Sequence, residues 1–218
     1  MIAFCDIMTK NSICFVGNAI GRPTRKEEIM SVTKKILMIT YDGCDDAEVL
    51  YPIYRLREAG FETVIASLEA RTLTAKYHYT FDATLTPEEI VPEEYDGLLL
   101  PGGSAPEKLR VNPLIIKAVR AFFTADKPVG AICHGPQILI SSGNIKNRRC
   151  TCYPGIRDDV ILAGGCYESV SAAADRNLVT SRKPDDLPDF MHEFCRLLDE
   201  YTAAENAKEE QAARETAE

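Results

Sequence analysis

The residues best equipped for chemistry sit together in "KPVGAICHGPQIL", residues 127–139, where Cys133 is followed at once by His134, one of three histidines in the chain. A thiolate is a strong nucleophile, and an imidazole beside it can carry the proton. The run Val129-Gly130-Ala131-Ile132 reads as a buried strand entering Cys133, and "GPQILISSG" (135–143) reads as a helix leaving it. A strand, a sharp turn bearing the nucleophile and an immediate helix make a nucleophile elbow, which needs small residues near the turn because strand and helix crowd there. Ala131 and Gly135 meet that need. A helix starting at His134 directs its positive end at the sulfur and favours thiolate, and its first N–H groups can hold an oxyanion. The alternative is an inert buried cysteine at a strand end.

The elements around this turn alternate. "KILMITY" (35–41) is a continuous apolar, β-branched run of the kind buried in parallel sheets. "DDAEVLYPIYRLREAG" (45–60) has apolar residues on one face and predicts a helix, with Pro52 implying a kink or a late start. Strands follow at 61–68 and 96–103, the latter ending in Gly102-Gly103, with a hairpin excursion at 72–86 between them. Residues 106–125 predict a helix interrupted near Pro113, and the alternation continues to Tyr201. This is a βαβ pattern, with a sheet covered on both faces. Three regions result: an N-terminal extension over 1–30, nonessential to the fold; a domain over 31–201; and an acidic, alanine-rich tail over 202–218, solvated or frayed.

The 218 residues suffice for one α/β domain, and a net charge of −8 leaves no electrostatic footprint for nucleic acid. No run approaches the roughly 18 apolar residues that span a bilayer. The eight cysteines are scattered through a chain with ample core material, so reduced thiols and a cytoplasmic location are expected. Cys150 and Cys152 form C-x-C with no second pair, so neither a metal nor a cofactor is expected.

Three segments in order, "LPGGSAPEKLR" (100–110), "AICHGPQIL" (131–139) and "CYPGIRDD" (152–159), closely resemble the PfpI family. That family groups intracellular cysteine peptidases with the Parkinsonism-associated deglycase, on a scaffold like the class I glutamine amidotransferases. The resemblance implies an α/β, flavodoxin-like three-layer sandwich with a mostly parallel central sheet and Cys133 as nucleophile, His134 beside it. It implies that Glu48 sets a carboxyl group against the sulfur; on local grounds Glu48 is a first-turn helix acid. It places Gly102 and Gly103 in the oxyanion turn with His134, although a strand-to-helix turn would need glycine anyway. Tyr153 becomes a substrate contact at the site mouth or, equally, a packed turn aromatic. Glu107 matches an acid that reaches the His134 of a neighbouring subunit, implying a homo-oligomer, dimer or hexamer. Asp45 and Asp46 read as cap and solvent-facing residues, His78 and His192 as surface histidines, and Cys44 as core.

The chemistry implied is attack of sulfur on an electrophilic carbonyl. The leading expectation is glutathione-independent glyoxalase or protein deglycase action on 2-oxoaldehydes and their adducts. An intracellular cysteine peptidase of the same family is the second, and a redox-sensing stress protein the third. Small carbonyl compounds or peptides are the expected partners, with no nucleic acid and no membrane.

Overall fold

The computed structural model describes residues 34–215; the expected extension over 1–30 lies outside the described residues. The chain opens with β1 (Lys35–Ile39), α1 (Asp46–Glu58) and β2 (Glu62–Ala66), then the hairpin strands β3 (Thr72–Thr74) and β4 (Thr80–Asp82). It continues through β5 (Gly97–Leu100), α2 (Ala105–Leu109), α3 (Pro113–Thr124), β6 (Val129–Ile132) and α4 (Pro136–Ser142). The last part comprises β7 (Arg149–Cys150), α5 (Arg157–Leu162), β8 (Cys166–Tyr167), β9 (Ala172–Asp175), β10 (Leu178–Ser181) and α6 (Leu187–Glu215).

Six strands form one sheet in the order β2-β1-β5-β6-β10-β9. All neighbours are parallel except β9, which returns antiparallel to β10 as an edge strand. Residues 168–181 therefore hold a hairpin rather than another turn of the βαβ alternation, and Arg176 makes its corner at φ 52°. The inner strands β5, β6 and β10 are buried throughout, as expected of strands covered on both faces. Helices α1 and α6 pack together, as do α3 and α4, so the sheet is the middle of three layers in a flavodoxin-like sandwich. Phe190 and Phe194 of α6 and Phe122 of α3 are the largest fully buried side chains, and they carry much of the apolar burial that holds helix to sheet.

Two local expectations are corrected. Helix α1 starts at Asp46, with Asp45 as its cap (Ala47 N–H to Asp45 Oδ1, 3.1 Å), and runs through Pro52 without a late start. Proline removes only the bond that would return to the Glu48 carbonyl, and its ring is buried against the core. At the other end, α6 goes beyond the expected boundary at Tyr201: it continues to Glu215, with its last turns solvated. Its last turns are exposed and helical because alanine, glutamate and lysine have high helix propensity, aided by the Glu205–Lys208 and Glu210–Arg214 pairs. The break near Pro113 falls at Asn112, whose Oδ1 accepts the N–H groups of Leu114 and Ile115 and so restarts the helix as α3.

Candidate active site

The site is assembled by three adjacent parallel strands. Strand β6 ends at Ile132 and delivers Cys133; its neighbour β5, in register Leu100↔Ala131, delivers Gly102 and Gly103; β1, next again, leads into α1 and delivers Glu48. Ligands bind at such carboxyl ends because the loops there splay away from the sheet.

Cys133 sits at φ 59°, in the left-handed region that costs a non-glycine residue about 1 kcal/mol or more. The surrounding bonds hold it there: its N–H donates to Ser181 O (3.0 Å) and its carbonyl accepts from Tyr153 N–H (3.0 Å). A Cβ on Gly135 would collide with the Leu100 carbonyl oxygen, which is the steric demand read from the sequence. The sulfur lies 3.3 Å from His134 Nδ1, and the backbone N–H groups of Gly103 and His134 face it.

Gly102 has another task. Its N–H donates to Glu48 Oε2 at 2.7 Å, which takes that donor away from the oxyanion role expected of it and leaves Gly103 and His134. A Cβ on Gly102 would stand 2.7 Å from Cys133 Cβ and 2.8 Å from the His134 nitrogen, so only glycine lets the three segments converge.

Electrostatics correct a second expectation. Burial, reinforced by the charge of Glu48, pushes the Cys133 thiol up to about 12. The N–H groups of Gly103 and His134 oppose this but do not win, and α4 starts only at Pro136 and has seven residues, too short for a strong dipole at the sulfur. Glu48, fully buried, is itself raised by desolvation to about 7, and its Oε1 is buried with no hydrogen-bond donor on it. Thiol and carboxyl group therefore influence each other's proton affinity as a coupled pair. Burial also holds His134 below the ordinary histidine value, with Glu107 acting in the opposite sense, so the imidazole is neutral and able to accept a proton.

Cys133 and His134 open into a cavity of about 560 Å³, also lined by Asp45, Lys76, Tyr77, Gly103, Ser104, Glu107, Tyr153 and Lys183. Tyr153 stacks on His134 with ring centroids 4.7 Å apart and stays 41% exposed, so it both orients the imidazole and meets the cavity. Glu107 is exposed on the rim of its own chain's cavity, where its charge reaches His134 without a hydrogen bond between them among the described residues. Cys44 is buried and pushed up to about 12 by desolvation, as befits a core thiol, and His78 and His192 are exposed and do not line this cavity. Sequence reasoning missed Lys76 and Tyr77, whose only signal is their place in the 72–86 hairpin. It also misjudged Asp46, which is half-buried and accepts the N–H groups of Tyr77 and Tyr79 at 2.7 and 2.9 Å. Among the described residues, no cluster of three or more metal-capable side chains occurs, all six cysteines are free, and no helix is long and apolar enough to cross a membrane.

A doubly covered α/β sheet with a cysteine at a strained elbow, a buried carboxyl group against it and a glycine turn opposite defines a class of cysteine-nucleophile proteins. The chain belongs to the DJ-1/PfpI family, whose model matches residues 34–197. It is 47% identical over 164 residues to Deglycase PfpI of Pyrococcus furiosus, covering 75% of this chain and 99% of that one. It is 37% identical over 168 residues to the putative cysteine protease YraA of Bacillus subtilis, covering 77% and 99% respectively. Among solved structures, a two-domain protein of Anabaena variabilis with DJ-1/ThiJ/PfpI-like and ferritin-like domains aligns with a TM-score of 0.74 at 32% identity, over 76% of this chain and 48% of that one. This chain thus spans about half of that protein's length.

Proposed function

We propose that this protein is an enzyme that uses Cys133 to attack electrophilic carbonyls, with 2-oxoaldehydes such as methylglyoxal and their protein adducts as substrates. The observation that carries the reading is Cys133 at a left-handed elbow, with the fully buried Glu48 beside it and His134 Nδ1 3.3 Å from its sulfur. As sulfur bonds to the aldehyde carbon, the thiol proton passes to the Glu48 carboxylate, and the N–H groups of Gly103 and His134 receive the oxyanion. Neutral His134 then carries the proton from C1 to C2, and water cleaves the resulting thioester to a 2-hydroxy acid and the free thiol. Addition to an aldehyde asks for no leaving-group protonation, whereas an amide does. The name of the Pyrococcus furiosus relative supports this reading, and that of the Bacillus subtilis relative supports peptide hydrolysis as the second.

Free thiols fit the reducing cytoplasm as the place of action. A homo-oligomer, dimer or hexamer, in which a neighbour's Glu107 completes the His134 pairing is part of the proposal; it is supported by the exposure of Glu107 on the rim and by its acting on His134 through charge alone within one chain. The testing experiment offers methylglyoxal and a fluorogenic peptide side by side to the wild type and to Cys133→Ala. Methylglyoxal consumption with 2-hydroxy acid formation, lost by about 10⁴-fold in the variant, is expected. Peptide turnover alone would establish the second reading, and no turnover of either would leave a redox-sensing thiol.

A further inference from the structure

Isomerising a 2-oxoaldehyde places charge on two oxygens. Once sulfur is bonded to C1, the C1–H bond breaks, its electron pair becomes the C1–C2 double bond, and the π pair of the C2 carbonyl moves onto O2. The proton then returns to C2, and O1 reforms its carbonyl as the thioester. The Gly103 and His134 N–H groups, which face the Cys133 sulfur, serve O1 in the mechanism proposed above. The enediolate also requires a positive partner for O2.

Lys76 lines the same cavity as Cys133 and His134, and its backbone is pinned. Its N–H donates to Cys44 O at 2.8 Å, Gly43 N–H donates to Thr74 O at 2.9 Å, and Thr74 N–H donates to Asp42 Oδ1 at 2.8 Å. The Asp46 carboxylate takes the N–H groups of Tyr77 and Tyr79, on the C-terminal side of Lys76. These five bonds tie the β3–β4 hairpin to the loop before α1 and to its first residue, Asp46, in the element carrying Glu48, so the lysine is held at the site despite its exposure. Its ammonium lies 5.0 Å from the Tyr77 ring centroid. The other lysine of the rim, Lys183, is paired with Asp185 at 2.8 Å.

We infer that Lys76 binds O2 of a 1,2-dicarbonyl substrate and stabilises the enediolate. This rests on the dicarbonyl reading above, and it makes the second oxygen a specificity determinant: a peptide bond or a simple aldehyde has no O2 and gains nothing from the lysine. The interaction strengthens as charge develops, so it acts chiefly on kcat.

The test compares the full-length wild type, Lys76→Met and Lys76→Arg in methylglyoxal kinetics, alongside the rate at which iodoacetamide alkylates Cys133. Lys76→Met is expected to lower kcat/KM by about 10²-fold, as loss of an oxyanion donor does, while Lys76→Arg recovers a substantial part. Alkylation, which needs the sulfur but no second oxygen, is expected to change less than about threefold in either variant, a difference small against the catalytic loss. Unaltered turnover in Lys76→Met overturns the inference alone. An equal fall in turnover and alkylation also overturns it, since the lysine then acts on the sulfur. No methylglyoxal turnover by the wild type removes the dicarbonyl reading, and this inference with it.

Discussion

Replacing Glu48 by glutamine isolates the buried carboxyl group. The amide keeps the shape and still accepts the Gly102 N–H, now made to Glu48 Oε2 at 2.7 Å, but it cannot ionise. Glu48 has a folded pKa of about 7 against an ordinary 4.5, so the native state binds this proton more tightly than the unfolded chain. Stability from this group is greatest below the unfolded value and is lost as pH rises through about 7. The full loss is about 3 kcal/mol, since each tenfold difference in proton affinity between the folded and unfolded chain is worth roughly 1.4 kcal/mol. Working near the pI of 5.1 invites precipitation, so the measurement starts higher. Between pH 5.5 and pH 8.5 the wild type should lose about 2 kcal/mol through Glu48 that the glutamine variant keeps. Urea denaturation of both proteins at both pH values, at one fixed protein concentration and with reductant present, measures the double difference. Other titrating groups, including His134, contribute to both proteins and largely cancel. The same variant should lose about 10²-fold or more in turnover and lose the rise of kcat/KM through pH 7 that ionisation of the pair confers. A double difference near zero, with the pH–rate rise intact in the variant, would refute the coupled-acid account.

Three further outcomes are expected. Gly102→Ala forces a Cβ to within 2.7 Å of Cys133 Cβ and 2.8 Å of Glu48 Oε2. Overpacking should cost about 1–3 kcal/mol in stability, and displacement of the sulfur should cost about 10²-fold in turnover, read by melting temperature and methylglyoxal kinetics. Mixing inactive Cys133→Ala with inactive Glu107→Gln should restore partial activity after subunit exchange, because a mixed interface unites an intact cysteine with an intact glutamate; no rescue from subunits shown to exchange would end the cross-subunit proposal. A chain begun at Met30 should melt within about 3 °C of the full-length protein, since the family match starts at residue 34 and β1 at Lys35, and a larger drop in calorimetry would show that the extension supports the domain.

What the sequence by itself determined is what depends on short-range pattern. The apolar runs of β1, β5 and β6 announced buried parallel strands, and the small residues around Cys133 announced a turn that nothing bulky could occupy. Pro113 announced a break in the 106–125 helix, while Asn112 as the cap of the restart is visible only in the structure. Motif resemblance brought Glu48, Glu107 and the glycine turn to notice, though not their distances. Tertiary structure decided everything that depends on which elements become neighbours. The Gly102 N–H is committed to Glu48 because β5 lies between β1 and β6, an order that no local pattern encodes. Lys76 reaches the cavity because Asp46, thirty-one residues from Tyr77, clamps the hairpin that carries it. The proton affinity of Cys133 escapes a sequence reading for the same reason. A helix start can be read from sequence, but burial and a carboxylate brought in from a distant helix outweigh it, and both exist only once the chain has folded.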